Sequence, residues 1–494
     1  MHLGTCTMAN NMKKNGFLLL CSKTLAVFVV GISLLHLASC CPGDDYPPFK
    51  DTLKAYLEKD KPSTSGDADK YSAYFDFSDG MQLAYADNQT KEVLQGIVQK
   101  VTSNSEKFVL FSLADNKITP LPEKMTTLFN TIMDANSYKL QNAPIEKTLE
   151  QIVNDNKSAL MITDFEEYTG TMEKAAFATP YFKKWLEAGN DITFFVTDYM
   201  ENGKDKHLYY IVFDNPKHNL LKLVEDGMQG KPQNYKHFLL STSSYAFTND
   251  YPSAIKGGSY RDSSGDDNVS AVIENGDDGS YMRFDSLNVE YYPLGQNWAD
   301  LVTNAKSLME EGVPEEDKFS HLLSKLYLDL SKLDSYNITG LDLKVSNIEK
   351  DFAAFSNNFL ALQNKGTENE ANYYDESGKL LPDYEYKPSA PVEVKDMLVF
   401  DKDLFAKSLS STPNKVELAV NLDPKFNGSM IGAASADMLR VDIIITDCEP
   451  KYDKLPELFQ WTGNDNLFES VKNTLQDMRP TGRIIYSYFI RFAN

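Results

Sequence analysis

Cysteine is scarce in this 494-residue chain, with five residues at positions 6, 21, 40, 41 and 448. So few thiols exclude a disulfide framework and a thiolate zinc cluster. Histidine is almost as rare, at six residues, and none follow the His-x-x-x-His spacing of a zinc helix. There is no Gly-x-Ser-x-Gly elbow and no glycine loop of the phosphate-cradling kind. Ser241-Thr242-Ser243-Ser244 therefore reads as strand or loop polarity, not as a nucleophile. Basic charge is also short: 49 Lys and Arg stand against 71 Asp and Glu. A field of that sign repels phosphate backbones, which argues against a nucleic-acid partner. What the chain does have is 42% hydrophobic and 12% aromatic residues, enough to build folded domains.

The N-terminus lacks acids altogether up to Cys40 and carries Lys13, Lys14 and Lys23. Its main apolar stretch, Leu25 to Leu35, follows the Cys21-Ser22-Lys23 interruption and falls short of the roughly 20 residues a spanning helix needs. Leu37-Ala38-Ser39-Cys40 comes next: an apolar residue, two small residues and a thiol. This resembles the bacterial lipobox, which implies a leader over 1–39, removed on export, and lipid on Cys40. The membrane partner is then met through that lipid. Removing the leader's three lysines from 49 basic residues against 71 acidic ones leaves a formal charge of −25. Pro42-Gly43-Asp44-Asp45 resembles the acidic tether of surface-displayed lipoproteins of the Bacteroides group, implying an outer-membrane, cell-surface location. Residues 40–70 read as an acidic linker, flexible over Lys59 to Lys70.

From Tyr71 strands and helices alternate. Strands are expected at Ser72–Phe77, Lys107–Leu113, Ser158–Thr163, Asp191–Thr197 and Leu208–Phe213. Helices are expected at Lys91–Val101, Met125–Met133, Pro144–Val153, Tyr181–Ala188 and Leu220–Val224. The alternation predicts an α/β fold over 71–255, a mostly parallel sheet with helices on both faces. The short link from Asp198 to His207 makes the last two strands an antiparallel pair. Several strands end in acid, at Asp76, Asp164 and Asp198, and in such sheets the functional rim lies beyond the carboxyl ends.

The segment from Tyr71 to about Gly227 resembles a von Willebrand factor A-like domain. Asp76 and Ser78 stand where that family has the first two residues of Asp-x-Ser-x-Ser, and Asp164 matches its distal Asp. The resemblance implies a magnesium or calcium ion held by Asp76, Ser78 and Asp164. Gly80 stands in place of the second Ser, and Ala143 in place of the loop Thr, so the adhesion site is degenerate. Asp79 and Glu166 are the nearby carboxylates able to compensate. A rival reading takes Asp76 and Asp164 as a metal-dependent hydrolase or phosphatase. Phe75-Asp76-Phe77-Ser78-Asp79-Gly80 resembles the haloacid dehalogenase signature, but Ser78 replaces the acid-base Asp.

Residues 256–283 are acidic Gly/Ser-rich loop, with a strand expected at Val269–Glu274. From 284 to 494 period-two alternation dominates and predicts β-sandwich modules. Helices are expected at Trp298–Met309 and Leu467–Met478, and a long loop at 364–391. Cys448 follows an apolar strand and reads as buried. Taken together, the sequence favours a lipid-anchored surface protein that binds a protein or glycan, over a catalyst.

Overall fold

The computed structural model describes residues 52, 55–56, 59, 70–121, 125–166, 176–215, 219–229, 235–249, 289–293, 323–423, 438–461 and 465–493. The leader, Cys40, the 256–283 loop with its expected strand, His218, His321 and the helix expected at 298–309 lie outside those residues.

Runs of apolar residues buried on both sides make the first sheet. β1 (Tyr71–Asp76) and β4 (Ala159–Thr163) are almost entirely buried, as strands covered on two faces must be. With β2 (Phe108–Ala114), β3 (Lys117–Pro120), β5 (Asp191–Glu201), β6 (Lys204–Asp214) and β7 (Tyr235–Leu240) they form a seven-stranded sheet of order β3-β2-β1-β4-β6-β5-β7. Only β1–β2 and β1–β4 pair in parallel; the other neighbours are antiparallel. The sheet is therefore mixed, where a mostly parallel one is expected from the sequence. The cause is local. Asn202 (φ 50°) and Gly203 (φ 79°) form a tight left-handed turn, of the kind that joins adjacent antiparallel strands. The β5–β6 hairpin this creates puts β6 into the slot beside β4.

β7 went unread in the sequence because Lys236 and His237 break its apolar pattern. Both have acidic partners, as described below.

Strand alternation divides the core. Phe75, Leu110, Ile162, Phe195 and Val212 point to one face. They are covered there by α1 (Met81–Ala86), α2 (Asn88–Ser103), α3 (Met125–Met133) and α6 (Leu220–Met228). Tyr74, Met161, Phe194, Tyr209 and Ile211 point to the other, against α4 (Ile145–Asp155) and α5 (Thr179–Glu187). That second face also takes in α9 (Leu455–Phe459) and α10 (Asn466–Asp477), where Leu458, Phe459, Leu467 and Val471 enter the same apolar cluster. Segments near the C-terminus thus complete the α/β layer.

Period-two segments build two further sheets. One runs β13 (Leu398–Phe400), β14 (Val416–Leu422), β10 (Leu323–Asp329), β8 (Ala246–Asn249). The other runs β12 (Val392–Glu393), β11 (Tyr336–Asn347), β15 (Met438–Pro450), β16 (Ile484–Ala493), β9 (Val289–Pro293), antiparallel except at β16–β9. Leu326, Leu418, Val420, Ile338, Val441, Ile443 and Tyr488 share one core between them, so an α/β part is followed by a β-rich one. Cys448 is buried in that core. Residues 364–391 are more than a bare loop, with 3-10 turns at Glu370–Asn372 and Pro382–Tyr384 and a β-bridge between Tyr374 and Leu380. Two helices flank the strands, α7 (Glu349–Gln363) and α8 (Lys402–Ser411). The first was missed because Ser356-Asn357-Asn358 dilutes its apolar face with poor helix formers.

Hydrogen bonds cross the seam between the parts. Asp334 accepts the Leu239 N–H at 2.9 Å, and the Ser335 hydroxyl donates to the Leu239 carbonyl at 2.6 Å. Tyr336 crosses into the α/β layer and donates to the Leu475 and Met478 carbonyls, at 3.1 Å each.

Candidate functional site

β1 and β4 are parallel neighbours, with Phe75 opposite Ile162, so Asp76 and Asp164 leave the sheet at the same end. This is the juxtaposition expected from the sequence. Both are buried, at 1% and 3% exposure. Each oxygen of the Asp76 carboxylate accepts one hydrogen bond. Its Oδ1 accepts the Ser78 N–H at 2.8 Å, and its Oδ2 accepts the Thr163 hydroxyl at 2.7 Å. The Thr163 hydroxyl in turn accepts the Phe165 N–H at 3.0 Å.

Phe165 has a positive φ of 61°, an outlier for a bulky residue. Burial of its ring, stacked on Phe177 with centroids 5.5 Å apart, holds it there. The bend carries Asp164 over the rim, where its Oδ1 accepts the Glu166 N–H at 3.0 Å.

Gly80 approaches from the turn after β1. A Cβ on it would lie 2.7 Å from Asp164 Oδ2, so position 80 faces the carboxylate but offers no side-chain oxygen. Ser78 is buried and bridges Leu140, whose carbonyl accepts the Asp79 N–H at 2.9 Å. Ala143 is fully buried in the apolar core and has no donor to contribute.

Burial raises the pKa of Asp76, against the pull of the Ser78 and Thr163 hydrogen bonds. It raises that of Asp164 well above the carboxylate range, the charge of Asp76 adding to the effect and Lys206 opposing it.

Residues that the sequence did not single out complete the rim. Lys206, on β6, pairs with Glu166, and with Glu201 at 3.2 Å. Its side chain and that of Glu166 are each 11% exposed. Trp461, just beyond α9, donates its ring N–H to Glu166 Oε1 at 3.1 Å. Asp198 does not join the pair. β6 separates β5 from β4, and β5 runs on to Glu201, so Asp198 instead meets His207 Nδ1 at 2.7 Å and Lys236 at 2.9 Å. The Lys206 signal was present in the sequence only as the Lys204-Asp205-Lys206-His207 run, which reads as a solvated hairpin tip.

The donor set is a poor fit to magnesium or calcium, which want six or more oxygens. Each Asp76 oxygen already accepts one protein donor, positions 80 and 143 carry no side-chain oxygen, and the Lys206 ammonium is paired with Glu166 and Glu201. Among the described residues no three His, Cys, Asp or Glu side chains converge in a way that could hold a metal ion. Nor, among them, is any helix long and apolar enough to cross a membrane. The chain matches no family model, no curated protein and no solved structure.

Proposed function

We propose that this chain is a lipid-tethered surface protein whose von Willebrand factor A-like layer binds a protein partner at the Asp76–Asp164 rim without catalysing a reaction. The supporting observation is an apolar trio at that rim. Leu83 of α1 is 39% exposed, Leu140 beside Ser78 is 44% exposed, and Met200 near the tip of the β5–β6 hairpin is 58% exposed. Exposed charges of both signs, Asp79 and Asp205 with Lys139 and Lys204, lie close to them in sequence. Exposed aliphatic side chains set among charges suit a protein surface with apolar and charged neighbours. The hydrolase reading has less support. Asp76, the nucleophile it requires, is locked by two hydrogen bonds, and Ser78 cannot act as the second acid.

A photo-crosslinking residue at 83 or 200 on intact cells tests the proposal. One discrete protein adduct is expected, lost when Asp79 and Asp205 are reversed to Lys. Adducts equally abundant from exposed Val392 on the sandwich, or capture of a glycan alone, would refute it. The tether is tested separately: Cys40→Ser should abolish incorporation of an acyl label and release the protein from membranes.

A further inference from the structure

The A-like rim normally closes around a divalent ion, and the residues here do not fit one. They do fit an ammonium. Lys206 reaches the rim from β6, the strand that the hairpin inserts beside β4, and pairs with Glu166 and Glu201. The Glu166 N–H donates to Asp164 Oδ1 at 3.0 Å, which ties the lysine's partner to the rim. Trp461 fixes Glu166 from the other side, through the same oxygen that meets Lys206. The absent oxygens also fit this arrangement. Gly80 leaves room for Asp164 Oδ2 and brings no oxygen of its own side chain. We infer that the Lys206 side chain takes the place of the metal ion at this rim, so that the domain is built to work without divalent cations.

The physical basis is charge. Several carboxylates gathered in a buried lip repel one another unless a proton or a cation offsets their charge. A divalent ion provides that charge but must be bound from solution. A lysine on the neighbouring strand provides it covalently and, once in place, repels a metal from the same position. The inference concerns the rim's own charge and holds whether or not the rim recruits a partner.

The test is the thermal midpoint of the lipid-free protein and of Lys206→Met, each in chelator and in millimolar magnesium, manganese or calcium. For the wild type the midpoint is expected to move by less than about one degree, because nothing binds the native state. Lys206→Met should melt several degrees lower in chelator and recover part of the loss with a divalent ion. If Lys206→Met does not fold, Lys206→Arg, which keeps the charge, should fold and stay indifferent to ions. A wild-type midpoint that rises with a divalent ion, and loses the rise in Asp164→Asn, would overturn the inference. So would Lys206→Met as stable as the wild type, or Lys206→Arg stabilised by ions.

Discussion

Gly80 and Asp164 are so close that an added carbon makes the carboxylate shift: a Cβ on Gly80 would stand 2.7 Å from Asp164 Oδ2. The backbone at Gly80 is ordinary right-handed helix, φ −56° and ψ −34°, so strain plays no part. A Ser here, at a helix start, would ordinarily be neutral or slightly favourable. Gly80→Ser should nonetheless destabilise the protein by about 1–3 kcal/mol, the range for forcing extra volume into a packed site. Urea unfolding measures it, and a neutral or stabilising result would mean Asp164 turns away freely.

Asp191 and Asp214 face each other across β5 and β6 at the opposite end of the sheet. Burial pushes Asp214 up to about 7, with the Asp191 charge adding to it, and burial raises Asp191 as well. A raised carboxyl binds its proton more tightly folded than unfolded, so stability falls as pH rises from 3.8 to about 7 and stays low above that. The full linkage would be roughly 4 kcal/mol, and partial exposure of Asp214 reduces it to about 1–2 kcal/mol. Asp214→Asn should therefore gain stability over the wild type at about pH 8, and lose most of that gain at about pH 5. Denaturation curves at the two pH values give the difference, which should be near zero if Asp214 titrates normally.

Tyr56 is buried against Phe352 and Phe355 of α7, and its hydroxyl donates to Asp351 Oδ2 at 2.7 Å. Asp351 also accepts the Tyr386 hydroxyl at 3.1 Å and the Ser389 N–H at 2.7 Å. Removing the acceptor strands several donors, whereas removing one hydroxyl strands none. Asp351→Ala should cost about 2–3 kcal/mol and Tyr56→Phe about 1 kcal/mol. Both should speed cleavage near Lys59 by a lysine-specific protease, a rate that would stay at the wild-type value if this segment were not docked.

The α/β layer borrows part of its cover from the far end of the chain. Phe459 packs on Phe194, Tyr209 and Phe238 with ring centroids 5.0, 6.2 and 5.3 Å away. Each such aromatic is worth about 1.5–3 kcal/mol when buried. A fragment of residues 71–255 should therefore expose that face, bind a hydrophobic dye and lack a cooperative melt. A fragment that melts sharply without dye binding would show that α9 and α10 are dispensable.

What could be read from the sequence was what is local. Met125–Met133 matches its expected span, and Asp76 and Asp164 were legible because each ends an apolar strand. What could not be read depends on pairing across the chain. Nothing in Lys204–Asp214 says that it inserts beside β4, and without that insertion Lys206 is one more surface lysine. The amphipathic face of α10 was visible, but an apolar stripe does not specify which sheet it covers. β7 was hidden because Lys236 and His237 look like loop polarity until Asp198 and Asp334 are placed opposite them.

A crystal structure of the protein soaked in manganese, with anomalous data collected for that element, addresses the lysine-for-metal account most directly. The account expects the Lys206 ammonium between Glu166 and Glu201, with no anomalous density within bonding distance of Asp76 or Asp164. A manganese peak on those carboxylates, with Lys206 displaced into solvent, would contradict it.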